Sequence, residues 1–333
     1  MIFLEKKENI RKFWILEGSL CLKDTNSITF RNIKLPSKKC FDILVNSTSL
    51  FINDFNTNGF EQTNIYNRST GEKETIEEKI FMKIIEDNFI IFSSYDIEFN
   101  TFFGVSSLKK NMTLWQKKEP GFFHSLYDKS IIFSNENYLI ALDFKTGKEV
   151  WNYSLDKESF EVDKVISLYL NQLLVGLKSG LLIALDIDTG ALLWQTPENV
   201  PIQNLRLSES EGILYGLQLH KFVTINAQNG AILVAKDIEP YLDSYFGCTL
   251  FFIRTSKLYN GLIYFVGGRK GVSDTVGIFD PKQEKIIWHY QLELPKGELI
   301  GAGDDKIQIT DTKLYVLDTT NTLHIFEREQ DEV

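Results

Sequence analysis

Residues that could catalyse a reaction or hold a metal are few and scattered in this sequence. It has four histidines: His124, His220, His289 and His324. None of them shows a paired spacing such as H-x-x-x-H, which would bring two imidazoles onto one metal ion. The acidic pair Asp304 and Asp305 lacks the spaced oxygen ligands of a calcium loop and is typical of a turn. The sequence therefore predicts no catalytic residues, no metal ligands and no cofactor, so that the protein is expected not to be an enzyme.

The cysteines and the N-terminus bear on localisation. Cys21, Cys40 and Cys248 are odd in number and lack metal-like spacing, which is typical of reduced thiols in the cytoplasm. Charged residues follow Leu4 directly, so no export signal is visible, and no run approaches the roughly 18 apolar residues of a membrane helix. We expect a cytoplasmic protein without a membrane partner. A leader trimmed from the chain would leave no trace in this sequence.

The charge balance bears on the partners that the protein can bind. Lys and Arg number 36 against 45 Asp and Glu, which gives a formal net charge of −9. A surface of this sign repels phosphate backbones, so the composition argues against a nucleic-acid partner.

A repeated unit is the strongest feature of the sequence. The stretches Tyr138–Trp151 and Leu181–Trp194 are nearly copies, and in both an Asp lies eight residues before a Trp with Thr-Gly between them. Looser copies extend the series in both directions. The seven positions equivalent to the Asp are residues 67, 107, 143, 186, 226, 280 and 327, spaced 36 to 54 residues apart. A period of about 40 residues with short strands is the length of one four-stranded propeller blade.

The parts of this motif have physical roles in a hairpin. Alternating apolar residues before and after it predict strands. The Asp accepts a hydrogen bond from the backbone, Thr does so more weakly, and Gly takes the positive φ of a tight turn. The Trp is expected to pack against the neighbouring blade. These carboxylates are therefore predicted to be structural rather than catalytic.

The repeat predicts one all-β domain over residues 1–333. It is a seven-bladed β-propeller of four-stranded antiparallel blades, with six or eight blades as the alternatives. Residues 40–333 form the blades, and the N-terminal segment 1–35 supplies the outer strand that the last unit lacks. Of two candidate strands there, around Trp14 and around Phe30, the second fits the period better, since Phe30 lies 45 residues before Thr75. No helix of convincing length is expected, and the segment near residue 80 is predicted to be a strand.

The motif A-L-D-x-x-T-G-x-x-x-W at Ala141–Trp151 and Ala184–Trp194 resembles the tryptophan-docking repeat of the PQQ-like (quinoprotein alcohol-dehydrogenase-like) propellers. The same repeat occurs in the outer-membrane assembly lipoprotein of the β-barrel machinery. The resemblance covers the chain from about residue 40 onward and implies the fold more than the function. The quinone enzymes of that family have adjacent cysteines and acidic calcium ligands. No Cys-Cys pair exists here, so the resemblance does not imply a quinone site. No WD dipeptide occurs either, which disfavours the WD40 class.

Long loops indicate where a partner would bind. In a propeller, the loops between second and third strands and the connectors between blades open on one face. The sequence predicts long loops there at Phe55–Gln62, Tyr95–Asn100 and Gly267–Asp274, and a long connector at Asp237–Cys248. Exposed aromatic and basic side chains are common interface anchors. The candidate partner-binding residues are Phe55, Phe60, Tyr95, Tyr241, Tyr245, Arg269 and Lys270.

These observations favour a non-catalytic, protein-binding propeller. One specific form is an immunity-type protein that neutralises a toxin, because an acidic surface matches a basic effector. Two alternatives stay open: an envelope assembly scaffold, and a small-molecule-binding or hydrolytic propeller with its site in the central channel. The expected innermost strands, such as ILVN, IFMKII and LRLS, are mostly apolar, which disfavours the channel site.

Overall fold

The computed structural model describes residues 1–31, 33–37, 39–56, 61–77, 79–85, 88–95, 100–110, 112–118, 121–127, 129–135, 138–155, 161–269, 272–295, 297–301, 303 and 305–328, with the side chains of Pro36 and Tyr95 left out. The chain divides into two compact units. The first unit is Trp14–Leu155, and the second unit is Met1–Phe13 with Asp156–Val333.

Eight four-stranded antiparallel sheets, one per blade, make up the described fold. The chain begins with β1 (Ile2–Lys7), which belongs to the last blade. Blades 1 to 4 comprise β2 (Lys12–Leu16), β3 (Ser19–Lys23), β4 (Ser27–Phe30) and β5 (Ile33–Pro36); β6 (Asp42–Val45), β7 (Ser49–Phe55), β8 (Glu61–Asn67) and β9 (Lys73–Glu77); β10 (Lys79–Ile85), β11 (Phe89–Tyr95), β12 (Thr101–Ser107) and β13 (Met112–Lys118); and β14 (Phe122–Tyr127), β15 (Ser130–Ser134), β16 (Tyr138–Asp143) and β17 (Glu149–Ser154).

The remaining blades lie in the second unit. Blades 5 to 8 comprise β18 (Val162–Tyr169), β19 (Gln172–Leu177), β20 (Leu182–Asp186) and β21 (Leu192–Gln195); β22 (Leu205–Ser208), β23 (Ile213–Gln218), β24 (Lys221–Asn226) and β25 (Ile232–Asp237); β26 (Phe251–Tyr259), β27 (Leu262–Arg269), β28 (Thr275–Asp280) and β29 (Lys285–Gln291); and β30 (Ile307–Ile309), β31 (Lys313–Leu317) and β32 (Leu323–Glu327) with β1. A short 3₁₀ turn precedes β22 at Ile202–Asn204, and α1 (Glu239–Phe246) joins blades 6 and 7.

The blade count corrects the sequence prediction of seven. Blade 1 escapes the motif search because its last hairpin, in which Phe30 pairs with Ile33, contains no Asp-x-x-Thr-Gly. Arg31, at φ 53°, takes the left-handed conformation in that short turn. Because the N-terminal segment 1–35 lacks the motif, the sequence predicts a single closing strand there, whereas the structure has a complete blade. Eight blades, one of the two alternatives, is the observed number.

The last blade is completed from the N-terminus, as the sequence predicted. The strand that completes it is β1, which pairs antiparallel with β32 from Ile2 opposite Glu327 to Lys7 opposite Leu323. The choice of Phe30 for this role was wrong, and so was Trp14. Phe30 lies in β4, the third strand of blade 1, where it is almost fully buried.

The burial of the strands follows their place in each blade. The second strands β15 and β19 are buried along nearly their whole length. The outer strand β21 is mostly exposed and alternates less strictly. In the second unit, Leu174 and Ala184 of blade 5 pack against Leu205 and Leu214 of blade 6 in one apolar cluster. Apolar contact between successive sheets therefore builds the core.

Two local predictions have different outcomes. The segment near residue 80 forms β10, so the prediction of a strand is confirmed. The connector Asp237–Cys248 contains α1, a helix that the sequence analysis did not expect. Within the described residues, no helix has the length and apolar composition required to span a membrane.

Candidate functional site

The Asp-x-x-Thr-Gly hairpins are closed structural turns. Asp143 Oδ1 accepts hydrogen bonds from the backbone N–H of Thr146 (2.8 Å) and from its hydroxyl (2.6 Å). Asp186 makes the same pair of bonds with Thr189, at 2.8 Å each. The Thr hydroxyl is the main cause that lowers the pKa of both carboxyls. Because these hydrogen bonds favour the carboxylate form and occupy the same oxygen in both turns, they give the two Asp residues a structural role.

Two of the hairpin glycines, Gly147 and Gly230, lie where a tryptophan of the preceding blade docks. Gly147 has φ 67°, and a Cβ atom there would lie 2.6 Å from Trp115 Cδ2. The Trp115 indole N–H also donates to the carbonyl of Phe144 at 2.7 Å. In the second unit, a Cβ atom on Gly230 would lie 2.4 Å from Trp194 Cε3. The predicted contact between the Trp and the neighbouring blade is thus confirmed for these two pairs, and it explains why glycine is needed there.

Helix α1 forms because its ends carry suitable residues. Pro240 lies in its first turn, where the missing N–H costs no hydrogen bond, and Glu239 complements the positive end of the helix dipole. Gly247 ends the helix in the left-handed conformation at φ 60°. Leu242 is fully buried among core residues of blades 6 and 7, which include Phe251. A short helix is therefore fixed to the core by one face.

Helix α1 also carries an aromatic cluster. Tyr245 is 40% exposed, and its hydroxyl lies 3.2 Å from His289 Nδ1. Phe246 stacks on Phe251 with ring centroids 3.8 Å apart. Tyr241 lies beside Tyr245, with its hydroxyl accepting the backbone N–H of Ile286 at 2.7 Å. We call Tyr241, Tyr245, Phe246 and His289 the aromatic cluster; each of its rings contacts another member, so their positions are fixed by one another.

The residues predicted to bind a partner fall in different places. Tyr241 and Tyr245 lie together on α1. Arg269 ends β27 opposite Phe251, which places this exposed cation at the same end of blade 7. Phe55 ends β7 in the first unit and packs on Phe41, with ring centroids 5.0 Å apart. Three of the predictions lie outside the described part of the structure: Phe60, Lys270 and the side chain of Tyr95.

A second cluster lies where blade 6 leads into α1. His220 occupies the turn between β23 and β24, Asp237 ends β25, and Glu239 begins α1. One ligand atom of each residue lies within 4.8 Å of the other two. The imidazole Nε2 is 3.8 Å from Asp237 Oδ2, and Nδ1 is 3.6 Å from Glu239 Oε2. Within the described residues, this group of His, Asp and Glu is the one whose geometry could hold a metal ion. We call it the His220 cluster.

The spacing of residues along the chain does not reveal this cluster, although the strand register does. Lys221 pairs with Gln218 on one side and with Asp237 on the other. A residue in the two-residue turn before Lys221 must therefore lie close to the end of β25. Spacing along the chain hides this proximity, because a hairpin separates His220 from Asp237. Pairing the residues of β24 and β25 one by one, starting from the Asn226–Gly230 turn, would reveal that His220 and Asp237 are close.

The other histidines have ordinary polar partners. His124 Nε2 lies 2.6 Å from the Ser134 hydroxyl, and burial lowers the pKa of the imidazole. His324 Nε2 lies 2.8 Å from Asp318 Oδ2 in a buried pair.

The cysteines do not supply a reactive site. Burial raises the pKa of Cys21 and of Cys40 to about 12, which keeps both thiols protonated at neutral pH. Burial also raises the pKa of Cys248. Since no two cysteines are adjacent, these residues do not fit the quinone group of the PQQ-like enzymes.

Comparisons with known proteins agree with this fold. A protein-family model described as the outer membrane protein assembly factor BamB matches residues 105–239. BamB from Moraxella catarrhalis has a similar structure, with a TM-score of 0.65 at 11% identity, covering 98% of this chain and 99% of that one. The C-terminal WD40 domain of Sif2 has a TM-score of 0.66 at 10% identity, covering 98% of each chain.

A PQQ-family enzyme is also similar in structure. A europium-containing methanol dehydrogenase has a TM-score of 0.59 at 10% identity, covering 94% of this chain and 84% of that one. At such identities, similarity establishes the fold alone. No curated protein matches the chain significantly in sequence. The repeat, the family model over residues 105–239 and the fold are each similar to those of the PQQ-like β-propellers.

Proposed function

We propose that this protein is a non-catalytic propeller that binds another protein through α1 and the adjoining end of blade 7. The observation that carries the proposal is Tyr245, a large aromatic side chain that is 40% exposed yet held in place by neighbouring rings. A tyrosine fixed in this way loses little conformational freedom on binding, and interface anchors are enriched in Tyr for this reason.

The surroundings of Tyr245 also suit an interface. The exposed Arg269 at the end of β27 provides a cation beside the aromatic cluster. Arg and aromatic residues are both enriched at the centres of protein interfaces. The side chain of Tyr245 is neutral at physiological pH, since the ordinary pKa of tyrosine lies well above it and burial raises the pKa of this hydroxyl further. The surface therefore combines apolar area, a hydroxyl and one positive charge.

The similarity to the matching family model also favours a protein partner. The matching family is described as an outer membrane protein assembly factor, a role that is exercised on other proteins. A protein partner is thus the class of ligand that the comparison favours. The same fold also occurs in a methanol dehydrogenase, so the fold by itself carries no argument about catalysis.

The experiment is a binding measurement on the full chain, with the protein encoded by the neighbouring gene as the candidate partner. Tyr245→Ala is expected to weaken binding at least tenfold, about 1.4 kcal/mol, because the anchor is lost. Calorimetry or surface plasmon resonance would measure this effect.

Tyr138→Ala is the matched control, since Tyr138 is 42% exposed but lies in blade 4 of the first unit. It is expected to leave the affinity unchanged. If Tyr245→Ala binds as tightly as the wild type while Lys145→Ala in a Thr-Gly hairpin abolishes binding, the partner uses the other ends of the blades and the proposed surface is wrong.

A narrower form of the proposal is an immunity-type protein whose partner is a basic toxin. Its support is the net charge of −9, which attracts a cationic protein over several ångströms. The association rate would then fall steeply as salt rises from low to physiological concentration. Co-expression would restore the growth of cells that produce the toxin. An association rate that does not depend on salt would exclude this form and leave the broader proposal intact.

A further inference from the structure

We infer that the His220 cluster is a divalent metal site, and that its donor set fits zinc. One imidazole and two carboxylates are three of the side-chain donors that zinc accepts, and three protein ligands leave a fourth position for water or an incoming group. Magnesium and calcium are hard cations that prefer all-oxygen ligand sets, so the imidazole nitrogen of His220 favours zinc over both. The site is independent of the proposed protein-binding function.

The charges in the cluster are balanced by a divalent cation. A neutral imidazole with two carboxylates carries two negative charges. Among the described residues, no Lys or Arg forms an ion pair with Asp237 or Glu239. A metal of charge +2 would neutralise the pair at the point where both carboxylates converge on His220.

The hydrogen bonding of His220 is incomplete without a ligand. Its Nδ1 atom is buried and has no hydrogen-bond partner. The two carboxylate oxygens, at 3.6 and 3.8 Å, approach the ring but lie beyond hydrogen-bond length. Buried polar atoms are nearly always paired, so the unpaired Nδ1 of His220, 3.6 Å from Glu239 Oε2, indicates a missing ligand.

The backbone holds the three ligands in place before a metal arrives. Leu219 exchanges two hydrogen bonds with Ile253 of β26, at 2.6 and 2.8 Å, and the carbonyl of His220 accepts the N–H of Ile238 at 2.8 Å. Asp237 Oδ1 accepts the N–H of Glu239 at 2.9 Å, which leaves the other oxygen directed toward His220. The donor atoms lie within 4.8 Å of one another, against about 3.4 Å between ligands around tetrahedral zinc. Small side-chain rotations on a fixed backbone would close this difference.

The test is zinc titration of the full-length chain after removal of metals by a chelator. Competition with a chromogenic chelator should give one zinc per chain. Asp237→Asn and Glu239→Gln preserve shape and should each weaken binding at least about tenfold, since each removes a charged ligand. His220→Ala should do the same. The melting temperatures of metal-free samples would show whether these three variants fold. Added zinc should raise the melting temperature of the wild type but not those of the three variants.

Two control variants exclude other zinc ligands. His289→Ala removes the imidazole of the aromatic cluster, and Cys248→Ser removes the thiol nearest in sequence; both should bind zinc as the wild type does. The inference is overturned if zinc binding is unchanged in Glu239→Gln and His220→Ala, or if it is lost in Cys248→Ser. Binding of Mn²⁺ more tightly than Zn²⁺ would overturn the assignment to zinc, because nitrogen-containing sites follow the opposite order.

Discussion

The two ends of blade 6 differ in how their polar groups are satisfied. At the hairpin end, Asn226 accepts N–H groups from Gln228 and Gly230 at 2.9 Å each, and Asn229 accepts from Ala231 at 3.0 Å. At the connector end, the buried Nδ1 of His220 has no hydrogen-bond partner. The polar groups of the hairpin end are therefore paired within the turn. The connector end instead has an unpaired His220 Nδ1 that a ligand can use, and the helix α1 that follows it carries the exposed ring of Tyr245. Repetition indicates a structural role, and departure from it indicates where function can develop.

The largest expected effect comes from a change in the corresponding hairpin of blade 4. Gly147→Ala introduces a Cβ at φ 67° that meets the Trp115 ring at 2.6 Å. Backbone strain and overpacking together should lower the free energy of unfolding by about 3 kcal/mol. Chemical denaturation would measure it.

Gly71→Ala is the control for strain alone, because Gly71 has φ 74° in the equivalent turn of blade 2 and no atom within 4 Å of its Cβ position. We expect a loss of about 1 kcal/mol there. Equal losses at Gly71 and Gly147 would mean that tryptophan docking contributes nothing to the need for glycine.

A smaller effect is expected at the connector end. Leu242→Ala removes a fully buried side chain that fixes α1 to the core, and it should lower stability by about 2 kcal/mol. Because α1 makes few other buried contacts, the loss should concentrate in residues 239–246. Hydrogen exchange should speed up there while the Asn226–Gly230 turn keeps its protection. Uniformly faster exchange throughout blade 6 would show that the two ends are one cooperative unit.

The smallest effect concerns pH at a hairpin. Thr189→Val removes the hydroxyl that is the main cause of the lowered pKa of Asp186, so this pKa should rise toward its ordinary value. In the wild type, the folded-state pKa lies below that of the unfolded chain. The stabilisation is thus complete above pH of about 4 and is lost as the pH falls through the folded-state value. Carboxyl NMR would follow the titration.

Asp143, which keeps its own threonine, serves as the internal reference for this titration, and its pKa should not move in Thr189→Val. A pKa of Asp186 that is the same in the wild type and the variant would show that the backbone N–H groups and the Asn171 amide hold the carboxylate without the hydroxyl.

The sequence predicted the fold as far as its motifs were explicit. Asp143 and Asp186 determined the blade type and the hairpin geometry, because local hydrogen bonds decide these features. Blade 1 was missed because the turn at Arg31 is formed without the motif residues. Helix α1 was missed because it has eight residues and one fully buried side chain, Leu242, which leaves no helical periodicity to detect.

The candidate sites were predictable to different degrees. Loop length was sufficient to select Tyr241 and Tyr245, since the long connector that contains them increases the distance between two successive repeat motifs. The grouping of His220 with Asp237 depends on strand register, which sequence spacing does not express. Phe55 was selected for exposure and is exposed; its contact with Phe41 is a further feature that pattern analysis does not foresee.

The pairing of β1 with β32 has a consequence for synthesis. β1 pairs with β32, from Ile2 opposite Glu327 to Lys7 opposite Leu323, so its hydrogen-bonding groups wait for this ladder until β32 has been synthesised. During that interval β1 presents an open edge to which other nascent chains can add. Blade 8 is thus completed only after β32 has left the ribosome. A ribosome that stalls before β32 would release a product in which β1 lacks its pairing strand.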